Sequence, residues 1–269
     1  MDARWPLDLS IKNELLQDQD LTSIYYNYKN TCIQKLGKLV ALKPHLLSEK
    51  LFKLATDKNI LSCLNEFIGP DISIWSSAFF VKEAKSKKYV GYHQDNPYWQ
   101  LSSSNVYTAW IALSFSKKEN GCLEFIDIDT EKKYNLDIKN PYQEYKKGNK
   151  TTEENDLISY KQDIPINNIE SSRKYVELNP GEFSIHNVNV VHGSGSNESN
   201  NPRIGFAIRY VDSKTYHLKD KKDSATHISG KKSEYFDLET HPKGEFSEFN
   251  IDEYNRRSST AGTFGNKSY

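Results

Sequence analysis

The chain has 269 residues, and its 36 Lys and Arg balance 36 Asp and Glu, so its formal net charge at pH 7 is zero. This balance gives no support for binding to nucleic acid or to an anionic membrane, and we expect neither partner. No stretch approaches the roughly 18 consecutive apolar residues of a membrane span, and segment 1–12 lacks the basic and apolar regions of a signal peptide. The sequence therefore predicts a cytoplasmic protein.

The cysteines agree with that expectation. Cys32, Cys63 and Cys122 are widely spaced and odd in number. Such a set resembles neither a disulfide framework nor a zinc site, so we expect each to be a reduced thiol. Aromatic residues make up 12% of the chain, which favours a β-rich core over disorder.

The predicted elements begin with helices and change to strands. Apolar residues recur at helical spacing from Leu51 to Ile68, and Gly69-Pro70 supplies a stop signal. From Asp71 onward the pattern is of short β-prone runs between turns. We predict a mainly β fold with flanking helices, its strands lying at 72–81, 106–113, 121–126, from 176, at 182–185 and at 203–211.

Two polar stretches interrupt or follow the strands. Segment 127–174 has few apolar residues and no period, so we interpret it as a lid-like insertion rather than a second domain. After residue 211 the chain is polar to its end. We expect one domain over residues 1–255 with a helical N-terminal part, and a flexible tail over 256–269.

A histidine and a carboxylate stand two residues apart in Gly91-Tyr92-His93-Gln94-Asp95, and His192 follows about a hundred residues later. On a strand, residues i and i+2 share a face, so His93 and Asp95 are expected to reach one ion together. Two imidazoles and one carboxylate form the facial triad of non-haem Fe(II) oxygenases. The pattern predicts that His93, Asp95 and His192 are catalytic metal ligands.

Each of these residues has a rival interpretation. A lone His-x-Asp pattern is more often a hydrogen-bonded surface pair than a metal site. His186, six residues before His192, is a rival third ligand, which we interpret as a packed or solvent-bonded histidine.

The strand predicted at 203–211 has two distinct faces. Ile204, Phe206, Ile208 and Tyr210 form a packing face, and the other face carries two arginines and two small residues. The small residues predict vacant space beside Arg203, which suits a ligand carboxylate bound by two hydrogen bonds. Arg209 is about 20 Å further along the strand and is expected to be structural or at the opposite rim.

In these motifs the chain resembles the phytanoyl-CoA dioxygenase family of Fe(II)- and 2-oxoglutarate-dependent oxygenases, and in its flanks it is most similar to bacterial small-molecule hydroxylases. The resemblance covers about residues 40–250. Besides the histidine and arginine motifs, it is carried by Thr108-Ala109-Trp110-Ile111-Ala112-Leu113, Glu119-Asn120-Gly121-Cys122 and Leu178-Asn179-Pro180-Gly181-Glu182.

The resemblance implies a double-stranded β-helix (a jelly-roll, cupin-like core) with Fe(II) as cofactor and 2-oxoglutarate and O2 as cosubstrates. His93, Asp95 and His192 match the family's iron ligands. Arg203 and Ser194 match residues that bind the distal carboxylate of 2-oxoglutarate, and Trp110 lies one position from a residue lining that pocket. Family members that halogenate have Gly or Ala at the position of Asp95, so hydroxylation is favoured here.

The substrate side departs from the family pattern. Asp127-Ile128-Asp129-Thr130 replaces the usual Pro-Gly-Ser-His, and no Gly-Tyr strand is recognisable before Asp20. Four residues are candidates for substrate binding, each with an equally plain structural alternative: Lys82, Asn96, Tyr98 and Trp99. For Lys82 the alternative is a solvated lysine in the run 82–88, and for Asn96, Tyr98 and above all Trp99 it is core packing.

The sequence thus predicts a hydroxylase of a small polar metabolite: an amino acid, an aminophosphonate or a secondary-metabolite intermediate, free or carrier-bound. A non-catalytic, cupin-like metal-binding protein is the alternative from another class. A zinc hydrolase with two histidines and a carboxylate is a third, but it gives Arg203 and Ser194 no role.

Overall fold

A computed structural model of the chain describes residues 5–8, 20–126, 154–157, 173–218 and 223–258. Helices α1 (Thr22–Leu36), α2 (Glu49–Ala55) and α3 (Lys58–Phe67) precede the main strands. Asp57 caps α3, because its carboxylate accepts hydrogen bonds from the N–H groups of Asn59 and Ile60. Helix α3 ends before Gly69, as the stop signal predicts. None of the described helices is long and apolar enough to cross a membrane.

The described strands form two sheets. The larger has the order β1-β7-β4-β9-β2-β10-β11 and the smaller β3-β8-β5-β6. Their bounds are β1 Trp5–Pro6, β2 Ile72–Lys82, β3 Val90–His93, β4 Val106–Ala112, β5 Leu123–Ile126, β6 Arg173–Val176, β7 Glu182–Asn187, β8 His192–Ser194, β9 Arg203–Val211, β10 Ser224–Ser229 and β11 Asp237–Leu238. From β2 to β9 the chain passes back and forth between the sheets. This is the predicted double-stranded β-helix, and the expected fold class is confirmed.

One face of the large sheet packs on the helices. Ile204, Phe206, Ile208 and Tyr210 alternate along β9 and are fully buried in the same core as the helical leucines. Tyr210 also donates a hydrogen bond of 2.8 Å to the carbonyl of Ala55, at the end of α2. The alternation places Arg203, Gly205, Ala207 and Arg209 on the inner face.

The space predicted beside Arg203 is not vacant. A Cβ atom on Gly205 would stand 1.9 Å from the indole of Trp110, so the ring of Trp110 occupies the position that a larger side chain would need. Gly205 lies opposite Ala112 on β4, and Ala207 lies opposite Trp110 itself. The small residues on β9 therefore make room for Trp110.

The chain after residue 211 is more ordered than its polarity suggests. Strand β10 extends the large sheet beside β2, and a last helix, α5 (Glu248–Ser258), follows. The predicted tail boundary at 256 falls inside α5, where Arg257 is buried and donates a hydrogen bond to Glu253. The expected tail from 259 lies outside the described residues.

Most of the predicted lid, 127–174, also lies outside the described residues. Residues 173–174 belong to strand β6, so the insertion ends earlier than predicted. Residues 154–157 are also described. They run beside β3, where the N–H of Tyr89 donates to the carbonyl of Asn155 and the N–H of Leu157 donates to the carbonyl of Tyr89. The N–H of Gly91 donates to the carboxylate of Asp156 at 3.2 Å. The insertion is thus attached to the strand that leads to His93.

A buried polar network lies at the other edge of the large sheet. Glu239, which is buried, bonds to Lys43 at 2.5 Å and to the hydroxyls of Ser224 and Thr226. His45 is fully buried beside it and hydrogen-bonds to Ser77. This network connects the loop before α2 with strands β2 and β10.

Candidate active site

His93, Asp95 and His192 meet at one end of the small sheet. Their ligand atoms all lie within 4.8 Å of one another. A carboxylate oxygen of Asp95 is 3.3 Å from Nε2 of His93, and the other is 4.0 Å from Nε2 of His192. The two histidines face each other because β3 pairs with β8 at these residues. Two imidazoles and one carboxylate on one side of a point can hold an octahedral metal ion and leave the opposite positions open.

Asp95 reaches this point for a reason that strand periodicity does not supply. Strand β3 ends at His93, and Asp95 has helical backbone angles at the start of a short helix, α4 (Asn96–Trp99). Its N–H and that of Asn96 both donate to the carbonyl of Val188. The loop preceding His192 therefore fixes the turn that presents Asp95.

Both histidines are oriented by their second ring nitrogen. Nδ1 of His93 bonds to the carbonyl of Gly91, and Nδ1 of His192 bonds to the carbonyl of Val190, each at 2.9 Å. A carbonyl acceptor requires the proton on Nδ1, which leaves the lone pair of Nε2 free for a metal. The backbone thus selects the tautomer that can bind an ion.

The electrostatics of the triad also favour metal binding. Burial alone would raise the pKa of Asp95, but His192 and His93 together hold it well below its usual range. Burial, with a smaller contribution from His93, lowers the pKa of His192 to about 4. Near neutral pH the site therefore presents a carboxylate and an unprotonated His192, which are the forms that coordinate a cation.

A second group of predicted residues lies around Ser194, which is two residues after His192 on β8. Lys82 and Arg203 are paired directly across β2 and β9, and both are almost completely buried. The ammonium of Lys82 donates hydrogen bonds to the hydroxyl of Ser194 at 2.7 Å and to the carbonyls of Ser194 and Gly195. Lys82 is therefore not a solvated lysine, and that alternative is wrong.

Arg203 is a buried cation with an unused donor. Its Nε has no hydrogen-bond partner among the described residues. The guanidinium lies 5.2 Å from the ring centre of Trp110. Burial lowers the pKa of Arg203 to about 10, so it remains charged at neutral pH. A ligand with a carboxylate at this position would supply the missing partner, and 2-oxoglutarate fits that requirement.

The residues predicted to contact substrate are arranged around the triad. The ring of Tyr98 lies 5.9 Å from that of His93, and Asn96 is buried in the first turn of α4. Trp99 packs edge-on against Trp75, at 5.3 Å, in a separate apolar cluster, which favours the core-packing alternative for it. Lys82 lies with Arg203 and Ser194, at the end where cosubstrate binding was predicted.

Of the two interpretations of His186, packed or solvent-bonded, the structure supports the first. Its ring centre is 4.8 Å from that of His192, and its Nδ1 has no partner among the described residues. Burial and the neighbouring His192 lower its pKa to about 3. His186 is therefore a buried imidazole that lines the site without joining the triad. Alternation along β7, which places it on the inner face with Ser184, could have indicated this from sequence.

Comparison with known proteins decides the family. The family model described as "Phytanoyl-CoA dioxygenase (PhyH)" matches residues 32–205, more than half of the chain. The chain belongs to the PhyH family. The expected family is therefore confirmed, and iron, 2-oxoglutarate and O2 are confirmed as cofactors at the level of that family.

Individual relatives of this PhyH protein are distant. It is 26% identical over 217 residues to the peroxisomal phytanoyl-CoA dioxygenase of Bos taurus, with 79% of the chain and 58% of the bovine protein covered. The chain thus spans little more than half of the length of that relative.

Solved structures share the fold. The nickel complex of the non-heme monooxygenase ThoJ is 20% identical, with a TM-score of 0.71 over 96% of this chain and 93% of that one. CytC3 with Fe(II) and alpha-ketoglutarate is 18% identical, with a TM-score of 0.57 over 91% of this chain and 93% of that one.

Proposed function

We propose that this protein is an Fe(II)- and 2-oxoglutarate-dependent hydroxylase that oxidises an unactivated C–H bond of a small polar metabolite. Amino acids, aminophosphonates and secondary-metabolite intermediates are the substrate classes considered. The observation that supports this most strongly is the buried Arg203, whose Nε has no hydrogen-bond partner among the described residues. A site that only binds metal has no use for such a costly cation.

The candidate residues would have two separate roles at the two ends of the chamber, the space between the two sheets. His93, Asp95 and His192 would hold the iron and leave its remaining positions to small ligands. Arg203, with Lys82 and Ser194, would bind the distal carboxylate of 2-oxoglutarate. When bound, iron and 2-oxoglutarate supply the oxidation, in which O2, the cosubstrate and a C–H bond yield succinate, CO2 and an alcohol. Trp110 would fill the wall between the two ends and keep water from that space.

Hydroxylation is preferred to halogenation because the carboxylate of Asp95 is present and points to the same location as both imidazoles. A protein ligand at that position leaves no vacancy for a halide.

The non-catalytic alternative is less well supported. Two buried cations directly opposite each other repel, and burial further disfavours their charge. A structural protein would gain stability by replacing them, whereas binding a cosubstrate dianion requires them. The zinc hydrolase alternative also gives this pair no role.

We also propose that the protein works in the cytoplasm on a small-molecule substrate, which is either free or attached to a carrier. The free thiols of Cys32, Cys63 and Cys122 support a reducing compartment.

The proposed function is tested by anaerobic titration of the metal-free protein with Fe(II) and then 2-oxoglutarate. We expect a visible charge-transfer absorption band that appears only with both, and succinate after O2 is admitted. The matched control is Arg203→Gln, which should bind iron but develop the band only at higher 2-oxoglutarate concentrations. A protein that binds Fe(II) but never develops the band would refute the proposal.

A further inference from the structure

Three inner-face residues stand side by side across the large sheet. Thr108 on β4 is paired with His186 on β7 and with Arg209 on β9. Residues paired in register on antiparallel strands project from the same face, so the three side chains form one row, which we call the polar row. Its outward neighbours, such as Ile185, Ala109 and Ile208, belong to the core under the helices.

The polar row faces the triad. His186 lies against His192, and the positive charge of Arg209 is close enough to Asp95 to lower the pKa of that carboxyl group. The guanidinium of Arg209 is held between the rings of Phe80 and Trp99, at 5.3 and 5.5 Å from their centres. The row is thus rigidly placed on the wall opposite the predicted metal ligands.

Two members of the row carry polar atoms that the protein leaves unpaired. The hydroxyl oxygen of Thr108 and Nδ1 of His186 are buried and have no hydrogen-bond partner in the part of the chain that the structure describes. Thr108 is 3% exposed and His186 is 6% exposed. Burying such groups without a partner costs free energy, which a bound ligand would recover.

The chemistry of the row selects the ligand. A guanidinium, a hydroxyl and an imidazole can all donate hydrogen bonds, and no acidic side chain belongs to the row. Such a set favours an oxyanion, either a carboxylate or a phosphonate. The backbone positions of Arg203 and Arg209 are six residues, about 20 Å, apart along β9. The guanidinium of Arg203 packs on Trp110, whereas that of Arg209 packs on Phe80 and Trp99, so the row forms a second anion site.

From this arrangement we infer that the substrate of the proposed hydroxylase carries an acidic group, a carboxylate or a phosphonate, which is bound by Arg209, Thr108 and His186. This rests on the proposed function, because it assigns the substrate to the same iron site. The acidic group would hold the substrate against the wall opposite the metal and direct its C–H bond toward the iron. An amino acid and an aminophosphonate both meet this requirement, and a neutral metabolite does not.

The test uses the protein loaded with Fe(II) and 2-oxoglutarate without O2. Propionate, propylphosphonate and neutral propionamide are titrated separately, and binding is measured by calorimetry and by the change in the charge-transfer band. We expect both acids to bind at least tenfold more tightly than the amide while the band persists, which shows that 2-oxoglutarate remains bound. Equal binding of acids and amide, or no binding of the acids up to tens of millimolar, would overturn the inference and leave the proposed function standing.

Variants separate the substrate from the cosubstrate as the ligand of the row. Thr108→Val replaces only the hydroxyl with a methyl group and should weaken binding of the acids severalfold. Thr108→Ser keeps the hydroxyl and should preserve that binding. Arg209→Gln should weaken the acids at least tenfold, with Arg209→Lys intermediate and the exposed Arg256→Gln as a matched control. If Thr108→Val and Arg209→Gln weaken the binding of 2-oxoglutarate and not that of the acids, the polar row binds the cosubstrate and the inference is wrong. Absence of the band in the wild-type protein would instead be the failure of the proposed function.

Discussion

Lys82 and Arg203 stand directly opposite each other on neighbouring antiparallel strands, and neither side chain is more than 2% exposed. Like charges in this arrangement repel. Burial, followed by the charge of Arg203, lowers the pKa of Lys82 to about 7. The pair is therefore a source of instability that a bound dianion would relieve.

Replacing Arg203 should have opposite effects on stability and binding. We expect Arg203→Met to weaken 2-oxoglutarate by about tenfold to a hundredfold, because charge-assisted hydrogen bonds contribute roughly 1.5–3 kcal/mol. The same change should stabilise the ligand-free protein by on the order of 1 kcal/mol, since it removes a buried charge that lies opposite Lys82. Iron affinity should hardly change. Unfolding in denaturant and the charge-transfer titration measure these quantities, and unaltered 2-oxoglutarate affinity would make Arg203 a structural residue.

Cosubstrate affinity should depend on the protonation of Lys82. Because its pKa is lowered to about 7, Lys82 is charged below that pH and neutral well above it. Arg203 and Glu124 are the neighbouring charged groups that act on it. We expect the wild-type protein to bind 2-oxoglutarate more weakly as pH rises from 6 to 9. Lys82→Met should bind it more weakly than wild type at every pH, with an affinity nearly independent of pH. Parallel pH profiles for wild type and Lys82→Met would contradict this assignment.

The same pKa has a consequence for folding. An ordinary lysine stays protonated to about pH 10.4, so the unfolded chain binds this proton more readily than the folded protein does. As pH rises from 7 to about 10, the stability of the ligand-free protein should therefore increase relative to that of Lys82→Met. Below pH 7 the difference in stability between the two proteins should be constant. Denaturant midpoints of the two proteins across this range check the sign.

Loss of either histidine of the triad should abolish iron binding. We expect His93→Ala and His192→Ala each to lose both bound Fe(II) and succinate formation, because two ligands cannot retain the ion against water. His227→Ala, at a histidine outside the triad, is the control. Iron stoichiometry after gel filtration is the measurement, and wild-type iron content in both triad variants would eliminate this metal site.

Asp156 should support His93 through the backbone. Its carboxylate accepts the N–H of Gly91, whose carbonyl is bonded to Nδ1 of His93. Outer partners of metal ligands typically contribute about tenfold to a hundredfold to metal affinity. We expect Asp156→Ala to weaken the binding of Fe(II) by about tenfold, at the lower end of this range. Asp156→Asn should retain most of the wild-type affinity. Identical iron affinities would mean that the insertion touches β3 without influencing the site.

Glu239 should control acid stability. Burial would raise the pKa of Glu239, but Lys43 and His45 hold it far below its usual range. A carboxyl group whose pKa is lowered by folding stabilises the protein above its unfolded pKa of about 4.3, and this stabilisation is lost as pH falls below that value. We expect Glu239→Ala to cost about 3 kcal/mol near neutral pH, because it removes the nearer carboxylate of buried Lys43 and leaves only Asp223, at 3.8 Å. This difference should shrink below pH 4 in denaturant titrations, and a constant difference would contradict the charge assignment.

The sequence by itself determined what depends on neighbours within one element. Alternation along residues 203–211 separates a packing face from an inner face that carries Arg203, because successive strand residues point to opposite sides. The family motifs identified the fold and brought His93, Asp95 and His192 forward as candidates. The helix stop at Gly69-Pro70 likewise follows from local backbone chemistry.

Only the tertiary structure decided which distant side chains meet. Lys82 lies in a run of lysines, yet its pairing with Arg203 across β2 and β9 buries it. Gly205 suggests space, but an indole from β4 fills it. Asp95 leaves the strand and is placed by the carbonyl of Val188, and His186 reaches His192 across the chamber. These outcomes depend on strand register and on the closure of two sheets, which bring together residues that no local spacing relates.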